Sequence, residues 1–154
     1  MNTSFFVSLD KKALYHNIEY LREYKQKELL PVLKANAYGH DILLIAKALY
    51  DYDVKVWAVA RYSEAVSICE YFKTLSIDDF KILIFESLID DYSLLEKYPQ
   101  ICPTLNSIKD LKNALANNIS IDRLSLKIDF GFGRNGIKYE EVDELKNLIK
   151  YNSL

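Results

Sequence analysis

With 154 residues, half of them hydrophobic, the chain is long enough to bury one sizeable core. Twenty basic residues against 22 acidic ones give a net charge of -2, so composition offers no basic patch for nucleic acid. No apolar run approaches the ~20 residues of a membrane span, and the opening MNTSFFVSLDKK has no basic start and long apolar stretch to read as a secretory leader.

In chain order, residues 4–9 (SFFVSL) are aromatic and β-branched enough for a strand, and Asp10 stands where a helix N-cap is expected. Leu14, Ile18 and Leu21 then recur at helical spacing in KKALYHNIEYLREYK. The next apolar run leads to Lys34. Pro31 lies inside it and is disfavoured in a central strand, so the usable strand is 32–35. DILLIAKALY repeats the helical period through Ile42, Ile45, Ala46 and Leu49.

The cycle continues. VKVWAVA is a strand, SEAVSICEYFKTL a helix behind Ser63, KILIFE a strand, DDYSLLEKY a short helix and ICPTL a strand. SIKDLKNALANN is a helix opened by Ser107, with Asp110 three residues on in the manner of a capping box. RLSLKIDF is the last strand and YEEVDELKNLIKY the closing helix. Six strands alternating with six helices predict an α/β fold with parallel strands, either doubly wound or a (β/α) barrel; spacing alone does not separate the two.

In both architectures chemistry collects at the C-terminal ends of the strands. Lys34 ends one strand, with Tyr38 and Gly39 in the loop behind it. DFGFGRNG (129–136) follows the last strand, where glycines around Phe132 and Arg134 allow sharp turning and close approach to a ligand. In LSLKIDF the two-residue period sends Leu124, Leu126 and Ile128 toward the helices and Lys127 and Asp129 to the opposite face. In a barrel that face is the interior, where a lysine is costly unless it is paired, with Asp129 for example, or loses its charge by chemical modification. An edge strand with a wet face is the plainer alternative. Cys69 and Cys102 form neither a metal spacing nor a disulfide framework and read as reduced thiols; His16 and His40 are too few and too far apart for zinc.

Two of these stretches resemble a known family. VLKANAYGHD (32–41) is similar to the pyridoxal-phosphate (PLP) lysine motif of alanine racemases, and LKIDFGFGRNGI (126–137) resembles that family's KxDTGMGRxG segment. Weaker likenesses, ALYHNIEYLR, VWAVARYSEA, KILIFES and CPTLNSIKDL, occur in the expected order, so the resemblance covers essentially the whole chain.

The resemblance implies a partial (β/α)8 TIM-type barrel. Residues 1–154 would be the N-terminal part of the PLP-binding barrel domain, stopping before the last three strands and the C-terminal β domain, with the strand at 4–9 outside the barrel. It implies a cytoplasmic isomerase that interconverts L- and D-alanine with pyridoxal 5'-phosphate as cofactor, supplying D-alanine for peptidoglycan. Alanine would be the small-molecule partner, and the complete protein would be a homodimer or swapped oligomer, with no nucleic-acid or membrane partner and no metal. As an N-terminal fragment or truncated product the chain would be inactive alone, because the opposite-face tyrosine that a partner subunit supplies, the arginine facing the pyridine nitrogen and most of the phosphate cup have no matching residue in it.

Residue by residue, Lys34 would hold PLP as a Schiff base and serve as base or acid on one face of the substrate. Tyr38 would hydrogen-bond the cofactor phosphate. Arg134 would bind cofactor and substrate carboxylate, a task suited to a planar five-donor fork. Lys127 matches a lysine carbamylated in many members, the resulting anion positioning the arginine. Phe130, Phe132 and Asp41 depart from the family's usual threonine, methionine and glycine; Asp41 reads as an N-cap for the helix behind it. Other readings of the same motifs are a non-catalytic PLP-carrier or homeostasis barrel, a half-barrel without cofactor, and a related PLP decarboxylase.

Overall fold

A computed structural model describes residues 8–87 and 92–152. The strand expected at 4–9 falls mostly on residues 1–7, and the start of the short helix expected at 90–98 falls on residues 90 and 91; both lie outside the described residues.

Helix α1 spans Lys11–Lys25, and Asp10 caps it as expected, its carboxylate accepting the N–H of Lys12 at 2.9 Å and of Ala13 at 3.2 Å. The run ending at Lys34 makes only a single parallel bridge, Val32 to Ala58, and not a four-residue strand. Pro31 has no N–H to give but its carbonyl accepts from Ala58 at 2.8 Å, and Leu33 N–H returns a bond to the Ala58 carbonyl at 2.8 Å. The ladder closes around Val32 because the chain turns at the next lysine. Lys34–Tyr38 form one helical turn, α2, and α3 follows over Ile42–Asp51.

Four parallel strands come next, β1 (Val56–Val59), β2 (Lys81–Ser87), β3 (Ile101–Leu105) and β4 (Ser125–Leu126), paired in that order. With Val32 beside β1, five segments therefore lie in strictly sequential order. A doubly wound sheet reverses its order at a switch point, whereas a (β/α) barrel does not, so the topology resolves the alternative that spacing left open.

Helices α4 (Tyr62–Thr74), α5 (Ser93–Lys97), α6 (Ile108–Ala116) and α7 (Val142–Asn152) fall between and after the strands. Among the described residues no helix is long and apolar enough to cross a membrane. Alternation along the strands separates two faces. Trp57, Val59, Ile82, Ile84 and Ile101 are fully buried on the helix side, with Phe72 of α4 and Phe80 each 5.7 Å from the Trp57 ring. In register with Val32 on the other side are Ala58, Leu83 and Cys102, the last two half-buried.

Two caps differ from the sequence expectation. Helix α4 starts at Tyr62, and its first turn is closed by Glu64, which accepts the N–H of Ala60 and Arg61; Ser63 does not cap it. Ser107 does accept from the Asp110 N–H at 3.1 Å, but the Asp110 carboxylate reaches back to Asn106, one residue beyond a regular capping box.

The last predicted strand is divided. Beyond β4, β5 (Ile128–Asp129) leaves the main sheet and pairs with β6 (Ile137–Lys138) across the glycine loop. Leu124 and Ile128 pack into a second apolar cluster with Leu105, Ile108, Leu111, Ala114, Ile137 and Leu145. Leu126 does not: it is 40% exposed, because β4 ends the row and no described strand covers its far side.

Candidate functional site

The turn α2 is left-handed. Ala35, Asn36, Ala37 and Tyr38 have φ of 54°, 55°, 52° and 55°, a conformation that costs an L-residue about 1–2 kcal/mol. Consecutive strained residues persist only where their surroundings fix them, and here the partners are identifiable. Ala37 N–H donates to the Leu33 carbonyl at 2.8 Å and is itself buried; Gly39 N–H donates to Ala35 at 3.1 Å and His40 N–H to Ala37 at 3.1 Å. The Asn36 side-chain oxygen accepts the Ile42 N–H at 2.9 Å, joining the turn to α3. Asp41 caps α3, accepting from Leu43 at 3.0 Å and Leu44 at 3.1 Å, as the sequence suggested. The N–H of Ala35 donates to Glu64 at 2.6 Å.

Lys34 opens this turn at the C-terminal end of its segment, half-buried. Its ammonium lies 5.9 Å from the Tyr38 ring centre and, among the described residues, makes no hydrogen bond or ion pair. Lys11, Lys47, Lys55, Lys97, Lys112 and Lys146 face carboxylates and Lys127 faces carbonyls, whereas the ammonium groups of Lys12, Lys27, Lys81, Lys109 and Lys150 are, like that of Lys34, without a hydrogen bond or ion pair among the described residues. An available amine beside an exposed phenol and a flat ring has the chemistry to hold an aldehyde cofactor with a phosphate.

The glycine loop forms the second half. Asp129 does not pair with Lys127, the partner weighed from sequence. Its carboxylate accepts three backbone N–H groups instead, from Gly131 at 3.2 Å, Phe132 at 2.9 Å and Gly133 at 2.9 Å, folding the loop around itself. The Lys127 ammonium donates to the carbonyls of Arg134 at 3.0 Å and Asn135 at 2.5 Å, so this cation is satisfied by the loop's own backbone. Gly136, at φ 116°, lets these groups meet; a Cβ there would lie 3.0 Å from Asp129 N and 3.2 Å from Lys127 Nζ.

Arg134 is exposed, its guanidinium 4.9 Å over the Phe132 ring, and Phe130 lies 6.0 Å from the Tyr139 ring. The two aromatics that depart from the family motif are thus 76% and 78% exposed at the loop's surface.

Lys34 meets Tyr38, and Lys127 meets Arg134, but no hydrogen bond, ion pair or ring contact among the described residues joins the two pairs. They follow the first and the last of five parallel segments, at the same, C-terminal end of the sheet. Cys102, on the inner face between them, has its thiol pushed up by burial. Sequence reading missed Glu64, which lies 29 residues from the Ala35 it binds; with the cap expected at Ser63, nothing local marked it as more than a helix residue.

A sequential parallel α/β half-barrel with a lysine behind its first segment and an arginine-bearing glycine turn behind its fifth defines a partial (β/α)-barrel protein. The chain belongs to the family described as alanine racemase, N-terminal domain, whose family model matches residues 9–153. It is 35% identical over 156 residues to an alanine racemase from Carboxydothermus hydrogenoformans, an alignment that takes in 97% of this chain and 40% of the relative. Among solved structures it is similar to the alanine racemase from Oenococcus oeni, with a TM-score of 0.78, 25% identity, and coverage of 95% of this chain and 42% of that one. It also shares its fold with an alanine racemase from Bartonella henselae that carries covalently bound pyridoxal phosphate (TM-score 0.74, 24% identity, 93% and 42% coverage). The chain spans about two fifths of the length of the relatives it matches.

Proposed function

We propose that residues 1–154 are the cofactor-lysine part of a PLP-dependent alanine racemase, the N-terminal portion of its barrel domain. The observation that carries this reading is the place of Lys34: its ammonium, without a hydrogen bond or ion pair among the described residues, opens a strained left-handed turn at the C-terminal end of the first of five sequential parallel segments.

In this reading Lys34 anchors the cofactor and moves a proton to or from the α-carbon on one face of alanine. Tyr38 donates its hydroxyl to the cofactor phosphate. Arg134 offers its fork of donors to the cofactor and to the substrate carboxylate. Pyridoxal phosphate, when bound, supplies a ring that withdraws electrons from the bonds at the substrate's α-carbon, so that a modest base suffices. Lys127 fixes the Arg134 loop through two carbonyls; addition of CO2 to its amine would exchange those donors for an anion beside the arginine. A base for the other face comes from outside residues 1–154, from a partner subunit in a homodimer. The product serves as cytoplasmic D-alanine for peptidoglycan.

Incubation with PLP, borohydride reduction and peptide mapping test the reading. The label is expected on Lys34 and absent from Lys34→Ala. Label on other lysines at equal yield would sink it. With PLP bound, the chain is further expected to exchange the α-proton of one alanine enantiomer for deuterium, since one face carries its base here.

A further inference from the structure

Among the described residues no hydrogen bond or ion pair holds the Lys34 side chain, so its position is set chiefly by its backbone, and that backbone has an anchor outside the turn. The first N–H groups of any helical turn lack internal partners. In α2 the Ala35 N–H is one of these orphans, and Glu64 meets it at 2.6 Å through Oε1. The other oxygen, Oε2, accepts from Ala60 at 2.9 Å and Arg61 at 3.1 Å, the residues that carry the chain from β1 into α4. One carboxylate therefore spans two segment ends, Val32–Lys34 and β1, just beyond the bridge between Val32 and Ala58. Its charge sits in the first turn of α4, where the helix dipole favours an anion.

We propose that Glu64 is the positioning residue for the cofactor lysine: it ties the left-handed turn that begins at Lys34 to the head of α4, and so fixes where the amine stands. The proposal rests on the reading of Lys34 given above, and it makes Glu64 more than a helix cap. The distinction is testable because the two carboxylate oxygens have unequal partners. In E64Q the amide oxygen takes the side with two donors, Ala60 and Arg61, and keeps the cap. The amide NH2 is left facing the Ala35 N–H, donor against donor, and the tie is lost.

Amide hydrogen exchange on the full chain without cofactor is expected to show Ala35 exchanging about tenfold or more faster in E64Q, the scale of one charge-assisted hydrogen bond. Exchange at Ala60, Arg61, Ile82 and Ile84 is expected to match the wild type. The initial rate of reductive PLP labelling at Lys34 is expected to fall about tenfold with it. E64D, one methylene shorter, is expected to reach the local cap but not Ala35 and to behave alike, so a poorly folding E64Q does not leave the matter open. Ala35 exchange unchanged in both variants, or rising together with Ala60 and Arg61, overturns the tie, as does labelling at the wild-type rate once Ala35 is freed. Wild type that takes no label at all, while E64Q still frees Ala35 alone, locates the failure in the cofactor reading and upholds the tie.

Discussion

Asp41 stands at φ 72° and accepts two N–H groups from the first turn of α3. Those facts pull in different directions: the backbone favours glycine, and the cap favours aspartate. Asp41→Gly is therefore expected to change stability by only a few tenths of a kcal/mol, whereas Asp41→Ala loses the cap without relieving the strain, at about 0.5–2 kcal/mol in urea melts. Cys69 offers a second measurement. Burial pushes its thiol up to about 12, well above an ordinary cysteine. The folded state holds this proton where the unfolded chain releases it, so the contribution is complete below the ordinary thiol value and is lost as pH rises from there toward 12. Native protein at pH 8 is expected to alkylate at Cys69 only after unfolding, read by iodoacetamide labelling with and without urea. At this scale the sequence pointed to Lys34, Tyr38 and Arg134 through wording alone. The left-handed turn was not legible, since alanine at 35 and 37 is the best right-handed helix former, and it is held by contacts to Leu33, Ile42 and Glu64 together with bonds from Gly39 and His40.

Among the elements, the β5–loop–β6 unit depends on two side chains directed at backbone: Asp129 gathers N–H groups and Lys127 gathers carbonyls. Gly136 is expected to tolerate no side chain, because φ 116° is strained for an L-residue and a Cβ would press on the Asp129 nitrogen; Gly136→Ala should cost about 2 kcal/mol or more in thermal or urea unfolding. Lys127→Met should leave the sheet intact but loosen the loop, so that trypsin cuts after Arg134 several-fold faster. The two-residue period predicted one strand through Lys127, but the strand breaks at that residue, between β4 and β5, and Leu126 is exposed. The partner of Lys127 was not legible either: the pairing weighed with Asp129 overlooks carbonyls seven and eight residues on, which a glycine loop brings within reach by a path that no periodicity encodes. The helices were legible for the opposite reason, since their apolar spacing and polar starts are local. Even there Ser63 yielded to Glu64 as the cap of α4, because a carboxylate serving three donors outcompetes a hydroxyl serving one.

For the molecule as a whole, the two ends of the sheet do different work. Where β1 and β2 begin, far from Lys34, Asp79 accepts from Lys55 at 2.5 Å and from the Tyr50 hydroxyl. The Lys55 ammonium, and then Tyr50, hold the Asp79 carboxyl below the ordinary carboxylate value. Its contribution is present above about pH 4 and is lost as pH falls through the lower folded value. The urea midpoint of wild type should thus exceed that of Asp79→Asn by a constant margin near neutrality, and the margin should close in acid; PLP labelling at Lys34, compared near neutrality, should be the same in both proteins. Sequential strand order was the part of the architecture that alternation implied but did not decide; it took the pairings themselves to separate a barrel from a doubly wound sheet.

Strand β3 belongs to both apolar clusters, giving Ile101 to the larger and Leu105 to the smaller, with Tyr92 and Ile119 touching each. Such a seam lets one part come undone while the other stays assembled. Fraying that began at α7 would carry off Ile137 and the arginine turn and stop at β3, leaving the lysine end standing; amides of β1 and β2 should accordingly outlast those of α6 and α7 by a separate, slower tier of exchange.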